Sequence, residues 1–252
     1  MKSDWLNITF DGSAFDKASA EIQRQLPYAG ARALNSVAFR IRGEEHAAIG
    51  RVFDSPTRLT RNAVLVNKAD KRKGNAQVYI RDEASKGTPP EKYLAPAVFG
   101  GKRNEKRFER AIRYAHLWYR GERLPSNMYV VPGEAAKLNK HGNITAATYM
   151  RILSQVKANL DDKQNATNSR RSRAKRGATK GYFLGKIEGT WGIWQRVGYK
   201  RRRSVRPILI FVSKVPNYRK RFPFYKIAQG VADRHLVPEL HKAMVHALST
   251  SF

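Results

Sequence analysis

Apolar residues recur at helical spacing in four stretches of the chain. Between residues 28 and 52 they fall on a single stripe, which predicts a long helix near the N-terminus. A helix beginning at the cap residue Ser13 precedes it, and Pro27 either kinks this first helix or starts the second. The same spacing predicts further helices over 104–120, 145–159 and 225–248.

Short apolar runs, too short for typical helices, predict strands. The run RPILIFV at 206–212 is typical of a buried strand, and GIWQRVG at 192–198 predicts its partner in a hairpin with a basic tip. A second hairpin is expected from 60–66 and 76–80 around the turn KADKRKG. The alternating run WLNITF at 5–10 is typical of an edge strand.

These elements predict an α+β fold in one domain that covers residues 1–252. A long kinked N-terminal helix and a C-terminal helix are expected to pack on an antiparallel sheet, with long basic loops. Small residues at 29–33 of the N-terminal helix permit the close approach of another backbone. The sheet is expected to contain strands 60–66, 76–80, 192–198 and 206–212, and inserted loops are expected at about 82–104, with a short helix near 93–98, and at 160–180.

The charge of the chain and its distribution indicate the kind of partner that the protein binds. The chain has 49 Lys and Arg against 20 Asp and Glu, a formal net charge of +29. Residues 163–226 contain 19 of these basic residues and a single acidic residue, Glu188. A field of this size favours anionic partners such as nucleic acid or an acidic protein surface. Because the charge is concentrated, it marks a region of the surface.

Two segments within this region, residues 170–180 and residues 200–206, are candidate anion contacts. Neither contains an acidic residue, and arginine suits phosphate and carboxylate because its planar fork donates two hydrogen bonds at once. Residues 160–180 are almost devoid of apolar side chains, which predicts a weakly ordered loop that becomes ordered on a partner. The candidate contacts are Arg170, Arg171, Arg173, Lys175, Arg176, Lys180, Lys200, Arg201, Arg202, Arg203 and Arg206.

The aromatic residues interleaved with these segments have two interpretations. Trp191, Trp194, Tyr182 and Tyr199 could stack on bases, or they could be core residues of the hairpin. The core interpretation is favoured.

Catalytic and metal-binding patterns are not found in the sequence. Gly101 and Lys102 resemble the end of a phosphate-binding loop, but Pro96 and Arg103 occupy the positions that need Gly and Ser or Thr. His235, His241 and His246 share one predicted helix at spacings that do not share a face. The adjacent Asp161 and Asp162 are poorly placed for a metal and are expected to cap the preceding helix or balance charge. We therefore expect no enzyme activity, cofactor or metal.

Cysteine content and hydropathy limit the chemistry and the partners that the sequence predicts. There is no cysteine, so disulfide and thiolate chemistry are excluded. The segment MKSDWLNITF lacks the apolar core of a secretory signal, and no run of about 18 apolar residues is present, so no membrane partner is expected.

Several segments together resemble the minor tail protein Z-like, or tail-completion, proteins of bacteriophages. The resemblance spans most of the chain, although no segment is a catalytic signature. The segments that carry it are LPYAGARALNSVAFRIR (26–42), PTRLTRNAVLV (56–66), KRFERAI (106–112), LPSNMYVVPGEAAKLNKHGNIT (124–145), YMRILSQVKA (149–158), GIWQR (192–196), RPILIFV (206–212) and YRKRFPF (218–224).

This resemblance implies a structural virion protein that acts in head–tail joining or tail completion as part of a homo-oligomeric ring. Its partners would be adjacent neck or tail proteins and, without sequence preference, phage DNA; it would reside in the virion after assembly in the host cytoplasm. The alternative is a stand-alone basic nucleic-acid-binding protein of the packaging or nucleoid type. An enzyme such as a nuclease is a third, less favoured, hypothesis.

Overall fold

The computed structural model describes residues 6–9, 20–85, 87–176, 181–198 and 204–250. Its helices are α1 Ala20–Val52, α2 Arg58–Arg61, α3 Pro90–Phe99, α4 Arg107–Tyr114, α5 Ala146–Gln155, α6 Arg170–Arg176 and α7 Phe224–Ser249. Its strands are β1 Leu6–Thr9, β2 Val64–Asn67, β3 Asn75–Ile80, β4 Gly101–Lys102, β5 Trp118–Tyr119, β6 Glu122–Arg123, β7 Tyr129–Pro132, β8 Tyr182–Ile187, β9 Thr190–Val197, β10 Ser204–Val212 and β11 Asn217–Tyr218.

The predicted α+β class is confirmed, with a long N-terminal helix, a C-terminal helix and antiparallel sheets. The chain forms two compact units, one from residues 1–101 and 218–252 and the other from residues 102–217.

The prediction of a single sheet is wrong. Strands β2 and β3 join β1 in a three-stranded sheet of order β1-β3-β2, whereas β9 and β10 belong to a four-stranded sheet of order β7-β10-β9-β8. Each sheet has its own apolar core, because the two hairpins bury against different helices.

The first unit is built on α1, which packs against α7 and against the three-stranded sheet. Small residues let the two helices approach closely: Ala29 and Ala33 of α1 form a buried cluster with Ala243 and Ala247 of α7. This is the close approach that the small residues predict. Facing the sheet, α1 contributes apolar residues such as Leu34, Val37 and Ile41 to the main core, together with Phe222 and Phe224.

Two sequence predictions in this unit need adjustment, and a third is not tested. Pro27 lies inside a continuous α1, and the segment before Ala20 that Ser13 was expected to cap lies outside the described residues. Thr60 and Arg61 are helical rather than extended, because the Thr57 hydroxyl accepts a hydrogen bond from the Thr60 amide and caps the short helix α2. The edge strand β1 and the short helix α3 are confirmed.

The second unit is built on the four-stranded sheet, one face of which packs on α4 and α5. Ile193 of β9, Leu209 of β10 and Ile152 of α5 are completely buried in its core. A bulge interrupts the pairing of β10 with β9 between Pro207 and Leu209, at a proline that has no amide hydrogen to donate.

The predicted helix over 104–120 is shorter than expected. Helix α4 ends at Tyr114, and the chain then turns through His116 and Arg120, both with left-handed φ angles of 45° and 50°. Trp118 and Tyr119 consequently lie in β5, paired with β6. The helical spacing of the two aromatics is thus overridden by the turn around Gly121 (φ 83°).

A buried carboxylate network holds α4 to the sheet of the second unit. Glu109 accepts two hydrogen bonds from the Arg103 guanidinium, one from the Lys106 amide at 2.7 Å and one from the Val130 amide of β7 at 2.8 Å. Burial raises the pKa of Glu109, but the hydrogen bonds from Arg103, Val130 and Lys106 outweigh it, so the pKa lies below its ordinary value. Glu109 is therefore a stabilising anion.

Glu45 of α1 is also buried, in the first unit, but within the described part of the chain it lacks hydrogen-bond donors such as those that surround Glu109. Its side chain is 0% exposed, and neither carboxylate oxygen has a hydrogen-bond partner among the described residues. Burial in apolar surroundings, with a smaller effect from the neighbouring Glu44, raises the pKa of Glu45 from 4.5 to about 9. Glu45 is therefore protonated and neutral at pH 7.

We predict that Glu45→Gln stabilises the protein in a pH-dependent manner. Between pH 4.5 and about 9 the folded chain retains a proton that the unfolded chain releases, so wild-type stability falls as pH rises through this window. The neutral amide removes that dependence. The stability difference between variant and wild type, from urea unfolding, should be about 4 kcal/mol larger at pH 8 than at pH 5. Glu83→Gln, at an exposed carboxylate of the same unit, is the control and should give no such difference.

We predict that Glu109→Gln destabilises the second unit by about 3 kcal/mol at pH 7, because the buried Arg103 loses its counter-charge. Since the folded pKa of Glu109 is lowered, its contribution is present above the ordinary carboxyl pKa and is lost as pH falls through the folded pKa. The difference from wild type should shrink in acid. Glu105→Gln removes a more exposed ion pair with Arg113 (3.0 Å) and should change stability by less than about 1 kcal/mol. Equal effects of the two substitutions would contradict the assignment.

Candidate anion-binding end of the four-stranded sheet

The register of β8, β9 and β10 brings the two basic segments to the same end of one sheet. Tyr182 of β8 is opposite Gln195 of β9, which is opposite Arg206 of β10. One residue further out, the Arg196 amide donates to the Gly181 carbonyl at 3.1 Å. The segment that ends at Lys180 therefore enters the sheet where the 199–203 connection leaves and re-enters it.

The opposite end of the same strands carries no comparable charge. There β8 and β9 are joined through Glu188 and Gly189, whose φ angles of 49° and 76° are those of a tight hairpin turn. Glu188 is the single acidic residue of the basic region, and it lies at the end of the β8–β9 pair opposite to Arg196. The two ends of the β8–β9 pair therefore differ in charge.

Two exposed arginines belong to the described part of this end. Arg196 and Arg206 occupy successive cross-strand pairs of β9 and β10, so their side chains project from opposite faces of the sheet. The Arg196 guanidinium lies 4.1 Å from the centroid of the Phe183 ring of β8, which orients the cation at the surface. An anion at this end of the sheet can therefore be contacted from both faces.

The predicted weakly ordered loop at 160–180 is wrong for residues 160–176. The Asp161 carboxylate accepts from the Lys163 amide and caps a 3-10 turn over Asp162–Gln164, and Ser169 caps α6 through the Ser172 amide at 3.2 Å. Asp161 thus caps the turn that follows it, not the preceding helix. Polar side chains supply the backbone partners here, which is why the segment is ordered without an apolar core.

Helix α5 anchors the beginning of this basic segment. Ser154 donates its hydroxyl to the Gln164 carbonyl at 2.7 Å and accepts the Ala166 amide on its own carbonyl at 2.9 Å. The Gln155 side chain accepts the Tyr182 amide at 2.6 Å at the start of β8. One helix end therefore holds the chain both before and after α6.

The sequence-predicted contacts divide into two groups. Arg170, Arg171 and Arg173 are exposed on α6 and Arg206 is exposed on β10, while Lys175 and Arg176 belong to the last turn of α6. The remaining candidates lie outside the described residues: Lys180, Lys200, Arg201, Arg202 and Arg203.

The aromatic residues follow the core interpretation. Trp191 is 6% exposed and Trp194 is 8% exposed, and the Trp194 indole donates to the Gly185 carbonyl at 3.0 Å. Tyr182 is half-buried against the same core, and Tyr199 lies outside the described residues. The two tryptophans are therefore not available for base stacking.

Strand β8 is the longest of the strands that the sequence analysis missed, and its pairing with β9 places the two basic segments at a common end. Its signal is the Glu-Gly pair between the apolar run YFLGKI and the run TWGIW, a two-residue hairpin connection. Without β8, the two basic segments are separated along the chain and have no predicted relation in space.

Neither metal-binding clusters nor membrane-spanning helices are found in the described part of the chain. No three His, Asp or Glu side chains of residues 6–9, 20–85, 87–176, 181–198 and 204–250 are grouped as metal ligands. Within the same residues, no helix combines the length and hydropathy that crossing a bilayer requires.

No protein-family model, curated protein or solved structure matches this chain significantly. The assignment of a function therefore depends on the sequence resemblance and on the geometry of the site.

We predict that α6 contributes directly to polyanion binding. Arg170→Gln, Arg171→Gln and Arg173→Gln together should weaken binding to random duplex DNA and reduce the log–log salt slope by about 3, since each neutralised phosphate contributes ~0.9. The measurement is a fluorescence titration between about 50 and 200 mM salt. The matched control replaces Lys137, Lys140 and Arg151, exposed residues of the same unit, and should leave the slope unchanged. An equal change in both variants would assign the effect to net charge alone.

Proposed function

We propose that this protein is a structural, non-catalytic component of a bacteriophage particle, acting in head–tail joining or tail completion as one subunit of a homo-oligomeric ring. Support comes from the resemblance of eight segments, in chain order, to minor tail protein Z-like and tail-completion proteins. The α+β architecture, with its long N-terminal helix and C-terminal helix on an antiparallel sheet, agrees with what that resemblance implies.

The observation that carries the proposal is the convergence of two basic segments at one end of the four-stranded sheet. Described residues there include the exposed Arg196 of β9 and Arg206 of β10, and helix α6 with its exposed arginines precedes β8 in the chain. Five further basic residues are joined directly to these elements in the sequence. Uncompensated charge of one sign destabilises an isolated domain by self-repulsion. We propose that an acidic face of an adjacent neck or tail protein compensates it in the assembled particle.

The ring follows from symmetry and charge together. Closed cyclic arrangements are the usual solution for homo-oligomers of soluble subunits. Subunits of formal charge +29 repel each other, so ring closure would depend on the anionic neighbour acting as a template. In this proposal the protein is monomeric in dilute solution, assembles in the host cytoplasm and remains in the neck or tail of the virion.

A stand-alone nucleic-acid-binding protein is the second candidate function. Arg196 and Arg206 favour it, because they project from opposite faces of one sheet end and could contact a phosphate backbone from two sides. Such binding would not depend on base sequence. Contacts to phosphate carry no sequence information, and no helix or strand among the described residues is shown to present polar side chains to base edges. Virion assembly and DNA binding in isolation are separate measurements, so the two candidates can be distinguished.

We predict that Arg201→Glu, Arg202→Glu and Arg203→Glu together block assembly and leave the fold intact. The substitutions reverse charge at the connection between β9 and β10, and surface substitutions usually change stability by less than about 0.5 kcal/mol each. Particle yield and infectivity are measured by complementation, and folding by thermal melting. Reversal at Lys137, Lys140 and Arg151 is the control and should leave assembly normal.

Two results would overturn the proposed function. Purified particles that lack the protein by mass spectrometry would exclude a structural virion role. Normal assembly by the triple Glu variant, with a wild-type melting temperature, would exclude the basic connection as the docking contact. If DNA binding is lost while assembly is normal, the second candidate function is supported instead.

A further inference from the structure

The turn between β2 and β3 in the first unit presents a second concentration of positive charge. Four of its six residues are basic and exposed: Lys68, Lys71, Arg72 and Lys73. We refer to residues 68–73 as the β2–β3 loop. The sequence analysis noted it as a basic turn, and the proposed function makes no use of it.

The β2–β3 loop is held in place by hydrogen bonds from its own residues and from α1. The Asn35 side chain accepts the Ala69 amide at 2.8 Å and donates to the Ala69 carbonyl at 2.9 Å. Asp70 accepts the Arg72 and Lys73 amides at 2.8 and 2.6 Å, and these hydrogen bonds lower the pKa of its carboxyl group. The only carboxylate of the loop is thereby engaged with backbone, and the cations are presented on a fixed support.

Exposed aromatic rings of α1 flank the loop on either side of Asn35. Lys71 lies 5.4 Å from the ring centroid of Tyr28, which is 36% exposed, and Lys68 lies 5.5 Å from that of Phe39, which is 41% exposed. Eleven residues separate the two rings, which is about 16 Å along the helix axis. Cations and accessible rings therefore alternate along one side of α1.

Amide side chains line an open groove next to the same loop. Lys68 and Lys73 border this groove together with Asn67, Asn75 and Gln77 of the adjoining strands. The Asn67 amide donates to Gln77 at 3.3 Å, which leaves further donors and acceptors of these amides at the surface. The surface thus offers ammonium groups for phosphates, rings for stacking and amides for hydrogen bonds.

We propose that the β2–β3 loop, with Tyr28 and Phe39 of α1, binds a single-stranded nucleic acid. Lysine and arginine neutralise the phosphates, and the exposed rings stack on bases. An acidic protein segment would use the cations but has no requirement for the two rings. A duplex would use the cations too, but its bases are already stacked within the helix. This binding surface is independent of the proposed virion function.

Titration of the full-length protein with oligo(dT) tests the role of the cations. Lys68→Gln, Lys71→Gln and Lys73→Gln together should weaken binding and reduce the log–log salt slope by about 2, since each phosphate on a single strand contributes ~0.7. The matched control replaces Lys92, Lys226 and Lys242, which are exposed elsewhere on the same unit, and should leave the slope unchanged. Equal changes in both variants would overturn the proposal.

The aromatic residues distinguish a single strand from other polyanions. Tyr28→Leu with Phe39→Leu should lower affinity for oligo(dT) about tenfold or more, with duplex affinity unchanged. An equal loss for duplex DNA, or no loss for oligo(dT), would overturn the stacking role. If the triple lysine variant loses binding to poly-glutamate but keeps binding to oligo(dT), the surface would be assigned to an acidic protein instead.

The anchoring of the loop is tested with charge held constant. Asn35→Ala keeps every cation and should still weaken oligo(dT) binding, because the loop loses its two hydrogen bonds to α1. Photocrosslinking of wild-type protein to thiolated oligo(dT) provides a readout that needs no variant. Crosslinks in the peptides that contain Tyr28 or Phe39 are expected, and crosslinks confined to residues 102–217 would overturn the proposal.

Discussion

The double pairing of β9, with β8 on one side and β10 on the other, is the constraint on which the second unit depends. Side chains alternate along a strand, so a slip of one residue would turn Ile193 and Leu209 out of the core and exchange the faces of Arg196 and Arg206. Burial of the apolar residues therefore fixes the register. The register in turn fixes where the basic segments join the sheet, and charge placement follows from hydrophobic packing.

Two buried glutamates show how environment gives the same side chain opposite roles. Glu109 receives hydrogen bonds from Arg103 and from two backbone amides, so its anion is the stable form and ties α4 to β7. Glu45 faces an apolar core with no partner among the described residues, so its neutral form is the stable one. Neither role can be deduced from the residue type, because both depend on groups distant in sequence.

The proposed functions share a physical logic across the two units. In both, exposed cations lie outside the strands on segments that polar side chains hold in place. The first unit presents Lys68 and Lys71 on a loop fixed by Asn35. The second presents Arg170, Arg171 and Arg173 on a helix capped by Ser169. Ordered supports of this kind lower the entropy that a binding partner must overcome.

The α+β class, the two longest helices and strands β1, β2, β3, β9 and β10 follow from sequence alone, because apolar periodicity reports which face of an element is buried. For Trp191 and Trp194 the sequence favoured the core interpretation over base stacking, and their burial confirms that interpretation. Local polar chemistry was harder to interpret: Thr57 caps α2 where a strand was predicted, and Asp161 and Ser169 order a segment predicted to be loose. In these places single hydrogen bonds outweigh composition.

Tertiary contacts place the predicted hairpins in two separate sheets and pair β8 with β9, so that Gly181 lies beside Arg196. They alone place Tyr28 and Phe39 beside Lys71 and Lys68. Strand partners and neighbouring loops are chosen by contacts between residues far apart in the chain, and the periodicity of one segment contains no information about which other segment completes its core.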